Sequence, residues 1–274
     1  MTGAISDFEK HLWGEEKCKS TVDKYVRDAG AFCMALHNRP LTKEFVIKYK
    51  AALCEKFKPA GVNSRLVAIN RFLQFTGRQD CCVKLLKIQR QMFANEKREL
   101  TAAEYKRLVN AAGNSRISFV LQTICGTGIR VSELQYITAE AVADGRAVVS
   151  CKNKTRIIFI PVQLQRILKN YIKKAGIKSG CVFVTNGGKP LNRSNIWREM
   201  KMLCRKAHVN PDKVFPHNLR HLFARTFYQL EKDIVRLADL LGHSNVETTR
   251  IYTIETGVRH REGLNAVGQI LFTT

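Results

Sequence analysis

Apolar residues recur at three- and four-residue spacing in four segments near the start of the chain, and this spacing predicts amphipathic helices. The segments are FEKHLW, STVDKYVRDAGAFCMAL, TKEFVIKYKAALCEKF and NSRLVAINRFLQFTG. Ser20 and Thr42 occupy positions typical of helix N-caps. We therefore predict that the chain from about Ile5 to Phe93 is an all-helical unit, with lysines and arginines on the outer helix faces.

The rest of the chain shows a mixed pattern. The polar stretch ANEKREL is a linker candidate, and Thr101 and Glu104 form a capping box for the next helix. RISFVLQTI and RVSELQYI are predicted helices on either side of the turn CGTG. AVVSC and RIIFIP are predicted strands around the hairpin signature KNKT, CVFVT is a candidate third strand, and the pattern after Asn192 is again helical. The predicted fold class is mainly α with a small β-sheet (α+β).

Charge adds a functional constraint. The chain has 46 lysines and arginines against 23 acidic residues, a formal net charge of +23. A surplus of this size, spread over both parts of the chain, indicates a polyanionic partner, and nucleic acid is the commonest one. The alternative is a solvated basic surface without a partner.

Cysteine usage and hydropathy indicate the cellular compartment of the protein. The nine cysteines include no CxxC pair, so no zinc site or disulfide framework is indicated. The N-terminal residues lack the apolar run of a signal peptide, and no stretch of 18 apolar residues occurs. We expect a reducing, cytoplasmic environment.

The stretch PHNLRH is the first candidate for chemistry. Pro216 suits the first turn of a helix, and His217 and Arg220 share one face because they are three residues apart. Together they can hold a phosphate, although surface neighbours of this kind are also common. The apolar face of the same helix is predicted to consist of Leu219, Leu222, Phe223, Phe227 and Leu230.

The stretch LGHSNVETTRIYT places His243 nine residues before Tyr252. Gly242 is predicted to end the preceding helix, and Ser244 with Glu247 is predicted to start another one that carries Tyr252 about two turns along. A phenol hydroxyl is a poor nucleophile at neutral pH unless neighbouring groups activate it. Tyr252 is therefore either an ordinary packed aromatic residue or an activated nucleophile.

A third element is CGTGIRVSEL, in which Arg130 follows Gly126 and Gly128. Its G-x-G follows a helix rather than a strand, which is the wrong context for a dinucleotide loop. The chain therefore contains, in order, Arg130, a hairpin lysine, the pair His217 and Arg220, His243 and Tyr252.

In this order of motifs the chain resembles the tyrosine recombinase (phage integrase) family. The matching stretches are TGIRVSEL, CKNKTRIIFIP, PHNLRHLFA and LADLLGHSNVETTRIY. The resemblance extends over almost the whole chain, is generic before Phe93 and is specific beyond Leu100. It implies a helical core-binding (DNA-binding) domain at residues 1–93, a linker at 94–100, and a mixed α/β catalytic domain with a C-terminal tail at 101–274.

The resemblance also implies a mechanism. Tyr252 would attack a DNA phosphate and form a 3′-phosphotyrosyl linkage, which a second DNA end would reverse without ATP. Arg130 and Arg220 would hold the non-bridging phosphate oxygens, and His217 and His243 would add hydrogen bonds. The family needs no metal or other cofactor.

The resemblance leaves alternatives for the hairpin lysine and for Glu133. The family hairpin usually contains Lys-Gly-Asn-Lys, whereas SCKNKTR is one residue shorter, so either Lys152 or Lys154 can be the catalytic lysine. We favour Lys152. Glu133 either supports Arg130 or is an ordinary surface glutamate, and His221 is expected to be structural.

The expected partner is a double-stranded DNA recombination site, bound by a homo-tetramer, with accessory DNA-bending proteins as further candidates. The apolar residues of the tail would dock either on a neighbouring subunit or on their own domain. The alternatives in function are a topoisomerase-like nicking-closing enzyme and a DNA-binding relative that does not cleave. Whether the biological event is integration of a mobile element, excision, inversion or dimer resolution stays open.

Overall fold

The computed structural model describes residues 2–37, 39–88, 98–151, 154–185, 187–252 and 265. The chain divides into two compact units, Met1–Arg90 and Gln91–Thr274. The predicted Lys152 site and almost all of the predicted docking tail lie outside the described residues. No described helix is long and apolar enough to cross a membrane.

The first unit is helical, as its spacing predicted. Its helices are α1 (Thr2–Gly14), α2 (Lys19–Leu36), α3 (Lys43–Lys56) and α4 (Pro59–Phe75), followed by a 3-10 turn at Gln79–Cys81. Their apolar faces form one core that includes Phe8, Leu12, Phe32, Leu66 and Leu73. The Thr42 hydroxyl caps α3 by accepting from the Phe45 amide, as predicted. The Ser20 cap is wrong, because α2 begins one residue before Ser20 and its N-cap residue is Cys18.

The second unit consists of helices and a two-stranded sheet. Its elements are α5 (Ala102–Ala112), α6 (Arg116–Thr127), a 3-10 helix (Val131–Tyr136), α7 (Ala139–Asp144), β1 (Arg146–Cys151), β2 (Lys154–Phe159), α8 (Val162–Ala175), α9 (Arg193–Ala207), α10 (Pro216–Glu231) and α11 (Ile234–Leu241). Short 3-10 helices follow at Val246–Thr248 and Arg250–Tyr252. The fold is therefore mainly α with a small β-sheet, as predicted.

The hairpin is antiparallel, with Cys151 opposite Lys154 and Val149 opposite Arg156. Its inner face, which includes Val149 and Ile158, belongs to the core of the second unit. The candidate third strand CVFVT is wrong for the described residues, since it contributes only isolated bridges, between Thr138 and Cys181 and between Val184 and Pro190.

Three local predictions around the site also need correction. The turn after RISFVLQTI starts later than predicted, because α6 continues to Thr127 and ends where Gly128 adopts φ +65°. RVSELQYI forms a 3-10 helix rather than an α-helix. Ser244 caps no helix: the Asn245 side chain accepts from the Glu247 amide and starts a single 3-10 turn instead.

Two more corrections concern the packing of the predicted helices. Tyr252 lies in a second short 3-10 turn rather than two turns along a helix. Leu230 is 78% exposed because α10 ends at Glu231 and its last turn extends beyond the core.

Candidate active site

Tyr252 is packed inside the second unit and is 4% exposed. It joins a small apolar cluster with Ala224, Leu237 and Leu241, which come from α10 and α11. Its ring stacks on the His243 ring, with centroids 6.1 Å apart and planes inclined by 16°. The His221 ring meets it edge-on at 4.9 Å. The two short 3-10 turns after α11 therefore bring the candidate nucleophile back against α10.

Arg220 is the most deeply buried charged side chain of the site, at 1% exposure. Its guanidinium donates to the backbone oxygens of Gly128 and Leu241, the latter at 2.7 Å. Its Nη2 atom also lies 3.0 Å from His243 Nε2. Burial and the nearby Arg130 lower the pKa of Arg220 to about 10, partly opposed by the Tyr252 hydroxyl. Arg220 therefore stays cationic at neutral pH, held in place from three sides.

His243 stands at a corner where α11 ends in Gly242 with φ +64°. Its Nε2 atom faces Arg220, and its Nδ1 atom lies 2.8 Å from the buried Thr249 hydroxyl. Since a guanidinium can only donate, Nε2 must be the acceptor, and Nδ1 carries the proton and donates to Thr249. Burial, followed by the charges of Arg220, Arg130 and Arg156, lowers the pKa of His243 to about 4. His243 is therefore a neutral imidazole in this structure.

Arg130 follows the Gly128 turn, and its side chain is 44% exposed. Glu133 is 2% exposed, so the alternative of a surface glutamate is wrong. One Glu133 oxygen accepts from Arg130 Nη1 at 3.0 Å, and the other accepts from the Arg130 amide at 2.7 Å. Burial by itself would raise the pKa of Glu133, but the Arg130 amide and the charges of Arg156 and Arg130 outweigh it and hold that pKa below its usual value. An ionised Glu133 thus orients Arg130.

His217 and His221 lie one turn apart at the start of α10, with ring centroids 4.5 Å apart. Burial is the main reason that the pKa of His217 is lowered, and Arg220, Arg130 and Arg193 add to the effect. Burial also lowers the pKa of His221 to about 4, with contributions from His217 and Arg220. Both rings are therefore neutral near pH 7. His221 sits between His217 and Tyr252, which fits its expected structural role.

The structure brings together five of the six predicted catalytic residues, namely Arg130, His217, Arg220, His243 and Tyr252. Lys152 lies outside the described residues. Lys154 is the first residue of β2. Among the described residues, no group of three His, Cys, Asp or Glu side chains is arranged to hold a metal ion.

Two residues of the site were not singled out from the sequence. Arg156 of β2 donates to Glu133 Oε2 and to the Leu240 backbone oxygen, each at 2.6 Å. Thr249 is 0% exposed and accepts from His243. For Arg156 a signal was present: it shares the inward alternation of Ile158 and Ile160, where a charge needs a buried partner. No comparable sequence signal marked Thr249.

Comparison with known proteins shows which family the chain is similar to. Residues 98–257 match the phage integrase family. The chain is 28% identical to the tyrosine recombinase XerA of Pyrococcus furiosus, over 95% of this chain and 92% of that relative. It is 31% identical to the tyrosine recombinase XerD of Halalkalibacterium halodurans, over 82% of this chain and 81% of that relative. Its fold is similar to that of a lambda integrase tetramer bound to a Holliday junction, with a TM-score of 0.74 and 17% identity, covering 92% of this chain and 76% of the other.

The chain belongs to the phage integrase family. It is an enzyme of the tyrosine recombinase class, which cleaves and rejoins DNA strands. The predicted family, enzyme class and recombinase function are thus confirmed.

Proposed function

We propose that Tyr252 is the nucleophile of a site-specific DNA recombinase and that it forms a covalent 3′-phosphotyrosyl intermediate. The observation that supports this proposal is that His243 stacks on Tyr252 while Arg220 lies against His243 and near the Tyr252 hydroxyl. Arg130 and His217 lie close to Arg220. In the proposed step the Tyr252 oxygen bonds to phosphorus while the bond from phosphorus to the 5′-oxygen breaks. Because the phosphotyrosyl bond keeps the energy of the bond it replaces, a 5′-hydroxyl can reverse the step without ATP.

Arg130 and Arg220 are the proposed electrostatic catalysts. Negative charge grows on the non-bridging oxygens as phosphorus becomes five-coordinate, and pre-oriented guanidinium groups stabilise that charge. Arg220 is fixed by two backbone oxygens, and Arg130 is fixed by Glu133. Both guanidinium groups are therefore held in place by protein contacts, which suits this role.

The two histidines suit different tasks. His217 is neutral near pH 7, so it can accept the proton that Tyr252 loses. His243 Nε2 accepts from Arg220, so it can donate to a phosphate oxygen only after the bond to Arg220 is given up. The proton then has to stand on Nε2, with Nδ1 accepting from the Thr249 hydroxyl instead. We propose that phosphate binding drives this exchange of tautomers.

Lys152 is the proposed general acid for the departing 5′-oxygen. Lys154 pairs with Cys151 in the strand ladder. In the sequence Lys152 directly follows Cys151, the last residue of β1, and the hairpin lysine of the family likewise follows the end of the first strand. Lys154 is then the proposed phosphate contact.

For the assembly, we propose a homo-tetramer that exchanges strands on a DNA recombination site. The fold similarity to a lambda integrase tetramer on a Holliday junction supports this proposal. The helical domain, residues 1–93, and the catalytic domain, residues 101–274, would both contact the duplex, and the charge of +23 predicts salt-sensitive affinity. The tail after Tyr252 would dock on a neighbouring subunit.

Covalent capture tests the proposed function. The protein is incubated with a library of nicked random duplexes, the mixture is denatured, and DNA bound to protein is recovered and sequenced. The expected result is DNA linked through its 3′-phosphate to the peptide that contains Tyr252, and paired recombinant products at the recovered site. Adducts without recombinant products would indicate a nicking-closing enzyme, and tight binding without any adduct would indicate a DNA-binding protein that does not cleave.

A further inference from the structure

Arg156 connects three parts of the active site that are distant in the sequence. Its Nη2 atom donates to Glu133, which orients Arg130. Its Nη1 atom donates to the Leu240 backbone oxygen near the end of α11. Its aliphatic stem lies against Gly242, where an added Cβ would meet Arg156 Cδ at 2.4 Å. The residue itself is part of β2, the strand that begins at Lys154.

We propose that Arg156 is a positioning residue for the recombination reaction, which holds Arg130 and His243 in one arrangement. This inference rests on the proposed roles of Arg130 and His243.

Contacts at the end of α11 show how Arg156 positions His243. The last four carbonyl groups of a helix lack partners within the helix, and cations near that end interact favourably with the helix dipole. Here Arg156 donates a hydrogen bond to the backbone oxygen of Leu240, and Arg220 donates one to the backbone oxygen of Leu241. The two arginines therefore fix adjacent peptide groups directly before the corner that carries His243.

Arg156 positions Arg130 through the Glu133 carboxylate. Its Oε2 atom is shared between Arg156 and the Arg130 amide, while its Oε1 atom pairs with the Arg130 guanidinium. A carboxylate that is 2% exposed must keep its partners, because an unpaired buried charge is strongly unfavourable. Removing Arg156 leaves Glu133 with the Arg130 amide and guanidinium as its partners, so we expect the direction of the Arg130 side chain to change.

Arg116 provides a matched control within the same unit. Its guanidinium also donates to one backbone oxygen, that of Val184 at 2.7 Å, and to one carboxylate, that of Glu199 at 2.8 Å. The Nε atoms of both arginines are buried without an acceptor in the described part of the chain. The two arginines therefore make similar contacts, and Arg116 is not among the contacts of the candidate active site.

The experiment compares Arg156→Met, Arg156→Lys and Arg116→Met in the full chain, using the DNA recovered by covalent capture. Methionine keeps the apolar stem over Gly242 but cannot donate. A displacement of about 1 Å in a reacting group can cost about a hundredfold in rate. We expect Arg156→Met to form the Tyr252 adduct about a hundredfold more slowly at saturating DNA, with unchanged DNA affinity. Arg156→Lys should recover part of the rate, and Arg116→Met should cleave like the wild type at temperatures where it is folded.

A second measurement, nuclear magnetic resonance of the histidine rings, does not depend on DNA cleavage. In protein with labelled histidines and without DNA, the His243 ring signals, assigned by their loss in His243→Asn, should shift in Arg156→Met and stay in place in Arg116→Met. The inference is overturned if Arg156→Met cleaves within about twofold of the wild type, or if Arg116→Met slows cleavage equally. If the wild-type protein forms no adduct at all, the proposed function fails instead, and unshifted His243 signals would then reject the positioning role separately.

Discussion

The Nη2 atom of Arg220 lies 3.0 Å from the Nε2 atom of His243, so a permanent cation donates to an imidazole that must be neutral. Burial and the neighbouring arginines lower the pKa of His243 to about 4, from 6.5 for an unperturbed histidine. The folded protein thus binds fewer protons than the unfolded chain between these two values. This contribution to stability is present above about pH 6.5 and is lost as the pH falls toward 4.

We therefore predict that the free energy of unfolding decreases between pH 6.5 and pH 4, with His221 contributing over the same window. Urea titrations across this range measure the slope. His243→Asn should reduce the slope, while His208→Asn, at an exposed position that ends α9, should leave it unchanged. An equal slope in both variants would rule out the buried His243 as its source.

Tyr252→Phe should abolish the covalent DNA complex while DNA affinity stays within about twofold, because the ring keeps its packing and loses only the attacking oxygen. The packing in question is with Ala224, Leu237 and Leu241. Denaturing gels measure the adduct, and a binding titration measures affinity. Tyr228→Phe is the matched control, since Tyr228 packs against the same cluster. An adduct that persists in Tyr252→Phe would reassign the nucleophile, for example to Tyr228 or Tyr136.

Arg130→Ala and Arg220→Ala should both slow cleavage, since one lost charged donor costs about 3 kcal/mol of barrier, roughly a hundredfold in rate. They should differ in stability. Arg220→Ala leaves the buried oxygens of Gly128 and Leu241 without this donor, which costs about 2 kcal/mol. Arg130 is 44% exposed, and its loss leaves Glu133 paired with Arg156, so Arg130→Ala should be less destabilising than Arg220→Ala.

Single-turnover cleavage and urea unfolding separate these two effects. A large loss of DNA affinity with normal cleavage at saturating DNA would refute the assignment of either arginine to the transition state.

Gly242→Ala should destabilise the protein more than Gly176→Ala does, although both glycines end helices at nearly the same φ, +64° and +67°. The left-handed conformation alone costs an alanine about 1 kcal/mol. At Gly176 an added Cβ meets nothing within 4 Å, whereas at Gly242 it would meet Arg156 Cδ at 2.4 Å. Gly242→Ala should therefore also slow cleavage, because the shift reaches His243 and Arg156. Equal unfolding free energies for the two variants would contradict this account.

Much of the fold could be predicted because local patterns agree with it. The four N-terminal helices follow from apolar spacing, and the capping box of Thr101 and Glu104 is present in the structure. The hairpin also followed from alternation and its turn signature. In contrast, Ser244 failed as a cap because the neighbouring Asn245 competes for the same amide groups, and local propensity cannot rank two adjacent capping residues.

The candidate site was predictable as a set of residues but not as an arrangement. The order of the motifs identified Arg130, His217, Arg220, His243 and Tyr252. The burial of Tyr252, the role of Thr249 and the sharing of Glu133 by two arginines depend on contacts between residues far apart in the chain. Such contacts leave no periodic trace in the sequence.

Lys152, rather than Lys154, is predicted to protonate the departing 5′-oxygen. Lys154 is paired with Cys151 in the sheet. In the sequence Lys152 directly follows Cys151, as the hairpin lysine of the family follows its first strand. An alkoxide is a poor leaving group, so losing its general acid should slow cleavage by roughly a hundredfold or more. A thiolate leaves without that proton. Lys152→Ala should therefore be slow on ordinary DNA but near wild-type on DNA with sulfur at the 5′-bridging position, whereas Lys154→Ala should only bind DNA more weakly. Rescue of Lys154→Ala by sulfur would exchange the two roles, and rescue of neither variant would locate the acid outside this hairpin.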